Sequence, residues 1–147
     1  MALDNYRDLI DELVGFPVEL RAAVESAGQA PEGEWSAEEI VAHLTAGDEF
    51  WLARLNLLLT QREPFLPEFG TAADDRMAEL LEQTVEENLD HFSDVRGQIV
   101  SMLMSMTLGD WDRTGTHETQ GERSIVDTVE AIADHDADHL AQLKSYS

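Results

Sequence analysis

The sequence contains no cysteine and a single lysine, Lys144. Without cysteine the chain forms no disulfide, holds no metal through thiolate and uses no cysteine nucleophile, and nothing favours an oxidising compartment. Positive charge is scarce: nine basic residues against 31 acidic ones give a formal net charge of −22. A field of that sign repels phosphate backbones and anionic lipid, so neither nucleic acid nor a membrane surface is an expected partner. Long apolar runs are missing as well. The longest uncharged apolar stretch, Ile99 to Leu108, is about half of the ~20 residues that a membrane span needs. Met1 to Tyr6 reaches acidic residues at once and lacks the basic segment and apolar run of a secretory signal, so the expected location is the cytoplasm. The acidic, lysine-poor surface fits a salty cytoplasm or a lineage with an acidic proteome, and composition does not separate the two.

Against these absences stand 147 residues of which 43% are hydrophobic, enough for one globular domain over 1–147. Leu9, Leu13, Phe16, Leu20 and Val24 recur at helical spacing and predict a first helix from Leu3 to about Gln29, kinked or broken at Gly15 and Pro17. Ala30 to Trp35 reads as a loop. Ser36-Ala37-Glu38-Glu39 is a capping box, with Trp35 and Ile40 as its hydrophobic staple, and opens a second helix running to about Gln61. Pro64, Pro67 and Gly70 form a connector. Met77, Leu81, Val85, Phe92, Val95, Ile99, Met102 and Met106 make one apolar stripe, which predicts a long third helix from Thr71 to Thr107 with its methionines as core filling. Leu108 to Arg123 reads as a polar loop, and a last helix runs from Ser124 to near Lys144. No segment alternates with period two for long, so no sheet is expected. The fold class is all-α, a four-helix bundle.

The histidines divide into kinds. His135 and His139 are four apart on the last helix, so both rings reach one point, and they continue the inward line of Ile125, Thr128, Ile132 and Leu143. The spacing alone also fits a solvated coincidence on an acid-rich helix. His43 lies beside the inward stripe of the second helix, where a single histidine is more often a satisfied core residue. In combination the three could converge on one metal ion, and three nitrogen ligands leave a coordination position open, as in catalytic sites. Gly47 follows His43 by one turn and either leaves space there or permits close packing. His117, in the glycine-containing loop, reads as fourth ligand, substrate contact or lid, against the plainer exposed loop residue. His91 is off the stripe and reads as surface. Asp48 is the nearest inward carboxylate on the second helix, able to orient a ligand or act as a base, with a surface charge the plainer reading.

Two segments carry a family resemblance. Trp35-Ser36-Ala37-Glu38-Glu39-Ile40-Val41-Ala42-His43-Leu44 resembles the opening of the second helix in the DinB/YfiT-like superfamily of four-helix-bundle metalloproteins. The stretch from Asp110-Trp111-Asp112-Arg113 through Gly115, His117, Gly121, Ser124 and Ile125 to His135-Asp136-Ala137-Asp138-His139-Leu140-Ala141-Gln142-Leu143 is similar to the ending of the same family. The resemblance implies that His43, His135 and His139 bind one divalent metal ion, zinc or nickel first and iron next, with His117 as a possible substrate contact or fourth ligand. It implies a metal-dependent thiol S-transferase or related hydrolase acting on a small molecule. Relatives of this kind use bacillithiol or mycothiol as cosubstrate, one being a mycothiol-dependent maleylpyruvate isomerase, and often form homodimers. The alternative is a non-catalytic metal-binding or interaction module of the same fold.

Overall fold

Short-range capping signals, more than the long apolar stripes, decide where the helices of this protein begin. The computed structural model describes residues 2–146. Helix α1, Ala2–Ser26, runs unbroken through Gly15 and Pro17, so the expected break is absent. An interior proline disfavours a helix by about 3 kcal/mol, and here Leu13, Phe16 and Leu20 are buried on either side of it. Helix α2, Ala37–Thr60, starts at the Ser36 box: the Glu39 amide donates to Ser36 Oγ at 3.1 Å, and the Ser36 amide donates to Glu39 Oε1 at 3.0 Å.

The expected third helix is two helices. α3, Gly70–Leu80, stops, and α4, Val85–Met104, starts afresh at a second capping box formed by Thr84 and Glu87. Thr84-Val85-Glu86-Glu87 carries the same signal as Ser36 to Glu39, and it interrupts a stripe that would otherwise run on. Leu81, assigned inward by the stripe, is exposed, whereas Leu80 packs with Met77 against Ala42 and Ala46 of α2. The buried Asn88 amide donates to the Leu80 carbonyl at 2.8 Å and holds the corner together.

The expected loop over 108–123 is also more ordered than its composition suggests. A 3₁₀ turn, Leu108–Asp112, leads into a hairpin of β2, Thr114–His117, and β3, Gly121–Ser124, and β1, Phe65–Leu66, pairs in parallel with β2. The absence of a sheet is therefore overturned on a small scale. Gly115 makes the sheet possible, because a Cβ there would meet the Pro64 carbonyl oxygen at 2.7 Å. Helix α5, Ile125–Lys144, starts within a residue of the expected Ser124, which is its cap.

The four long helices form the bundle. α1 and α2, consecutive in sequence, each pack against α4 and α5, which places them diagonally across the bundle, and α3 packs on the outside of α2. One apolar group gathers Leu13, Leu55, Leu58, Ile99, Leu103 and Ile132; another gathers Phe16, Leu20, Ile40, Leu44, Phe92 and Leu143. Between them, on three helices, sit Arg96, Asp48 and Asp136. Arg96 is 1% exposed and forms bidentate pairs with Asp48 at 2.8 and 3.0 Å and with Asp136 at 2.7 and 3.0 Å. It also donates to the Leu13 carbonyl at 3.3 Å, so one side chain ties α4 to α1, α2 and α5. Among the described residues no helix is long and apolar enough to cross a membrane.

Candidate metal centre

His43 is about two turns past the well-capped start of α2, and His135 and His139 lie one turn apart on α5. The packing of α2 on α5 brings all three together: one ligand nitrogen from each lies within 4.8 Å of the other two. His135 Nε2 is 3.1 Å from His43 Nε2 and 3.1 Å from His139 Nε2. The rings stand steeply to one another, at interplanar angles of 60°, 64° and 85°. All three are half-buried, and Trp35 roofs them, its ring centroid 4.6 Å from that of His43 and 6.4 Å from that of His139.

A chain of hydrogen bonds fixes how His139 is presented. The Tyr146 hydroxyl donates to the Trp35 carbonyl at 2.6 Å. It therefore accepts from Gln142 Nε2 at 3.0 Å, which turns Gln142 Oε1 towards His139 Nδ1 at 2.9 Å. That oxygen can only accept, so the His139 proton resides on Nδ1 and the Nε2 lone pair faces the other two rings. Burial, reinforced by the neighbouring imidazoles, pushes His43 and His135 down to about 4, so both are neutral near pH 7.

These donors fit a divalent cation. A neutral His135 donates from Nε2 to one neighbour and not to both, so the cluster left to itself sets lone pairs against each other. Nitrogens placed tetrahedrally about 2.0–2.1 Å from one ion lie roughly 3.3 Å apart, close to the spacing of 3.1 Å seen in the two closest pairs.

The other candidates lie elsewhere. Asp48 is neither a base nor a surface charge: it is buried and bonded to Arg96, as is Asp136. Burial pushes the Asp136 carboxyl up to about 6 against the pull of Arg96. His91 is half-buried rather than free on the surface, with Nε2 3.0 Å from Glu49 Oε2. A Cβ on Gly47 would make only an ordinary contact, at 3.9 Å, with the indole nitrogen of Trp51. His117 does not join the three-histidine cluster, and it is not exposed either. It sits at the end of β2, 6% exposed, and lines a separate cavity of about 260 Å³ between α2, α5 and the hairpin. Arg54 lines the same cavity. Sequence reasoning passed over it because the inward stripe of α2 was filled by Trp51, Leu55 and Leu58; an arginine beside that stripe was the available signal.

Comparison with known proteins agrees with this picture. The solved structure of YfiT from Bacillus subtilis, described as "a probable metal-dependent hydrolase with an unusual four-helix bundle topology", superposes with a TM-score of 0.82 at 19% identity, over 93% of this chain and 82% of that one. At that identity the likeness speaks for the fold. A "putative metal-dependent hydrolase" of Oceanobacillus iheyensis is 28% identical over 116 residues, 77% of this chain, and the match spans 65% of that relative's length. One of the same description from Bacillus cereus (strain AH820) is 24% identical over 144 residues, 92% of this chain and 82% of its own. The sequence model of the DinB superfamily matches residues 3–143, nearly the whole chain. This protein belongs to the DinB superfamily.

Proposed function

We propose that this protein is a metal-dependent hydrolase of a small molecule, with one divalent ion held by His43, His135 and His139. The observation that carries the reading is the convergence of three imidazole Nε2 atoms, one of them locked as a lone pair by Gln142. The names of the relatives agree with it. His43, His135 and His139 would hold such an ion through three nitrogens, and it would supply Lewis-acid chemistry, lowering the pKa of water to about 7 and polarising a carbonyl. Zinc or nickel suits three imidazoles, as does iron.

The chain's own residues define the rest. Gln142 and Tyr146 hold the Nδ1 proton of His139 in place, and Trp35 shields the three rings on one side. The substrate approaches along the groove between α2 and α5. Transfer of a low-molecular-weight thiol is the finer alternative, using the same three histidines, and the relatives' names favour hydrolysis over it.

Protein purified without a nickel column should carry about one zinc or nickel per chain, as a site built by folding does. It should hydrolyse members of a panel of small esters and amides, and His139→Ala should abolish that turnover. Conjugation of monochlorobimane with added thiols, faster than any hydrolysis, would move the assignment to S-transfer. Bound metal without either turnover would make the protein a metal-binding module. Absence of bound metal, with no thermal shift from zinc or nickel, would overturn the centre itself.

A further inference from the structure

The cavity beside the three histidines contains two buried polar side chains whose hydrogen-bonding capacity is unspent. On α2, Trp51 and Arg54 follow His43 by two and three turns; on α5, Ala131 and Thr128 precede His135 by one and two turns. All four line the cavity together with His117 and with Asp134, the residue before His135, so the cavity opens next to the histidine cluster. At 1.5 Å rise per residue Thr128 lies roughly 10 Å along α5 from His135, and Arg54 about 16 Å along α2 from His43.

Arg54 is 8% exposed. Its guanidinium is packed over the rings of Phe69 at 4.2 Å and Trp51 at 5.3 Å, and one of its amino groups donates to the Pro67 carbonyl. Its Nε finds no acceptor among the described residues. His117 Nδ1 accepts from the backbone amides of Thr119 and Gln120, both at 3.1 Å. The neutral ring therefore carries its proton on Nε2, and that N–H has no acceptor among the described residues either. A fully buried donor without an acceptor is unfavourable, which makes the Arg54 Nε unexpected in a structural role; the His117 Nε2–H is less enclosed and is left free on the cavity wall. Glu68 lies near enough to favour the charged arginine, but its carboxylate accepts from Thr119 and not from the guanidinium, so a buried cation beside a donor histidine leaves room for a bound anion.

The rim limits which anion. Asp127, Glu130 and Asp134 stand exposed around the opening and outnumber Arg123 beside them, and Asp127 is already engaged in capping α5. Their charge disfavours a polyanion such as phosphate while leaving the buried donors free for a single carboxylate, which matches the fork of an arginine. We propose that this cavity is a carboxylate-binding subsite, with Arg54 and His117 as its recognition groups, and that the substrate is a small monocarboxylate whose scissile bond lies towards the three histidines. The substrate assignment rests on the metal-dependent reading above; the binding of a carboxylate does not.

The test uses chelator-stripped protein, so that no carboxylate can bind through a metal. Titration with butyrate, followed by the side-chain ¹H–¹⁵N signals of Arg54 and His117 and by Trp51 fluorescence, should give saturable shifts. Neutral butyramide and inorganic phosphate should each bind at least about tenfold more weakly, the loss expected for a charge-assisted hydrogen bond worth ~1.5–3 kcal/mol. Arg54→Gln and His117→Phe should each weaken butyrate by a similar factor while zinc uptake is retained, and His117→Gln, which keeps a donor, should recover part of the loss. The ligand series on the unaltered protein stands even if a variant fails to fold. Phosphate binding more tightly than butyrate, equal binding of butyrate and butyramide, or no binding at all would overturn the subsite. Butyrate binding in a protein that takes up no zinc would instead overturn the metal-dependent function and leave the subsite standing.

Discussion

In the middle of the bundle Arg96, Asp48 and Asp136 bond one another, whereas next to them on the same helices His43 and His139 each bring Nε2 to 3.1 Å from His135 Nε2 without such closure. Asp136 follows His135 directly and Asp48 is five residues past His43, so the two clusters share backbone and differ in completeness. In the first, both carboxylates share one guanidinium through paired hydrogen bonds, and the arginine reaches all four long helices. The second keeps lone pairs facing inward and, in the adjoining cavity, donors without acceptors. A closed polar network specifies how helices pack; an open one presents chemistry. The comparison makes the arginine layer structural and the histidines functional.

The strongest way to break that division is Arg96→Met. Removing one partner leaves two buried carboxylates uncompensated, which should destabilise the protein by about 3–5 kcal/mol, read as a fall in the urea midpoint. Replacing Arg96, Asp48 and Asp136 together by leucine should recover most of the loss, because no buried charge is then left alone. A single variant that unfolds at the wild-type midpoint would show that the layer holds nothing together.

The histidines should behave in the opposite way. His43→Ala or His135→Ala should change metal-free stability by about 1 kcal/mol or less. Zinc at a hundred times its Kd should stabilise the unaltered protein by about 2.7 kcal/mol, and these variants should lose that gain. If zinc stabilises the triple alanine variant equally, the ion binds elsewhere.

The two clusters were not equally legible in the sequence. His43, His135 and His139 could be read because spacing and a family motif both pointed to them. The Ser36 cap could be read because a capping box is a local signal four residues long. Arg96 was hidden: it stands on the inward face of α4 between Phe92 and Ile99, and its partners are 48 and 40 residues away. Thr84 to Glu87 carried the signal that ends the long stripe, yet the stripe's periodicity on both sides outweighed it. The hairpin was illegible for a different reason. Thr114–His117 and Gly121–Ser124 have no alternating pattern, and they are strands because they pair with each other and with β1. His117 owes its burial to that pairing, so composition alone placed it on the surface.

Gln142 links the two behaviours, since it belongs to the histidine cluster but acts only by holding a ring. Gln142→Leu removes the acceptor at His139 Nδ1 and should weaken zinc by about 10–100-fold with little change in metal-free stability, measured by competition with a chelating dye. Tyr146→Phe should act in the same direction and less strongly, because Gln142 then loses only the partner that orients it. Unchanged affinity in both would mean that packing, not the hydrogen bond, sets the ring.

Acid separates the clusters least, and by sign. In chelator-treated protein His43 and His135 titrate at about 4 against an ordinary 6.5, so the unfolded chain takes up their protons first. Their contribution is present above about 6.5 and is lost as the pH falls towards about 4. Asp136 runs the other way. Its carboxyl is pushed up to about 6 from 3.8, so its contribution is full below 3.8 and is lost as the pH rises through about 6. Between pH 6.5 and 4 the two effects oppose each other in the unaltered protein. In His43→Leu/His135→Leu the carboxyl acts alone, so the stability of this variant relative to wild type should rise steadily as the pH is lowered across that window. Urea midpoints at a series of pH values measure the difference. Parallel curves would mean that the histidines titrate alike in the folded and unfolded chain, and that the open cluster is less enclosed than its geometry implies.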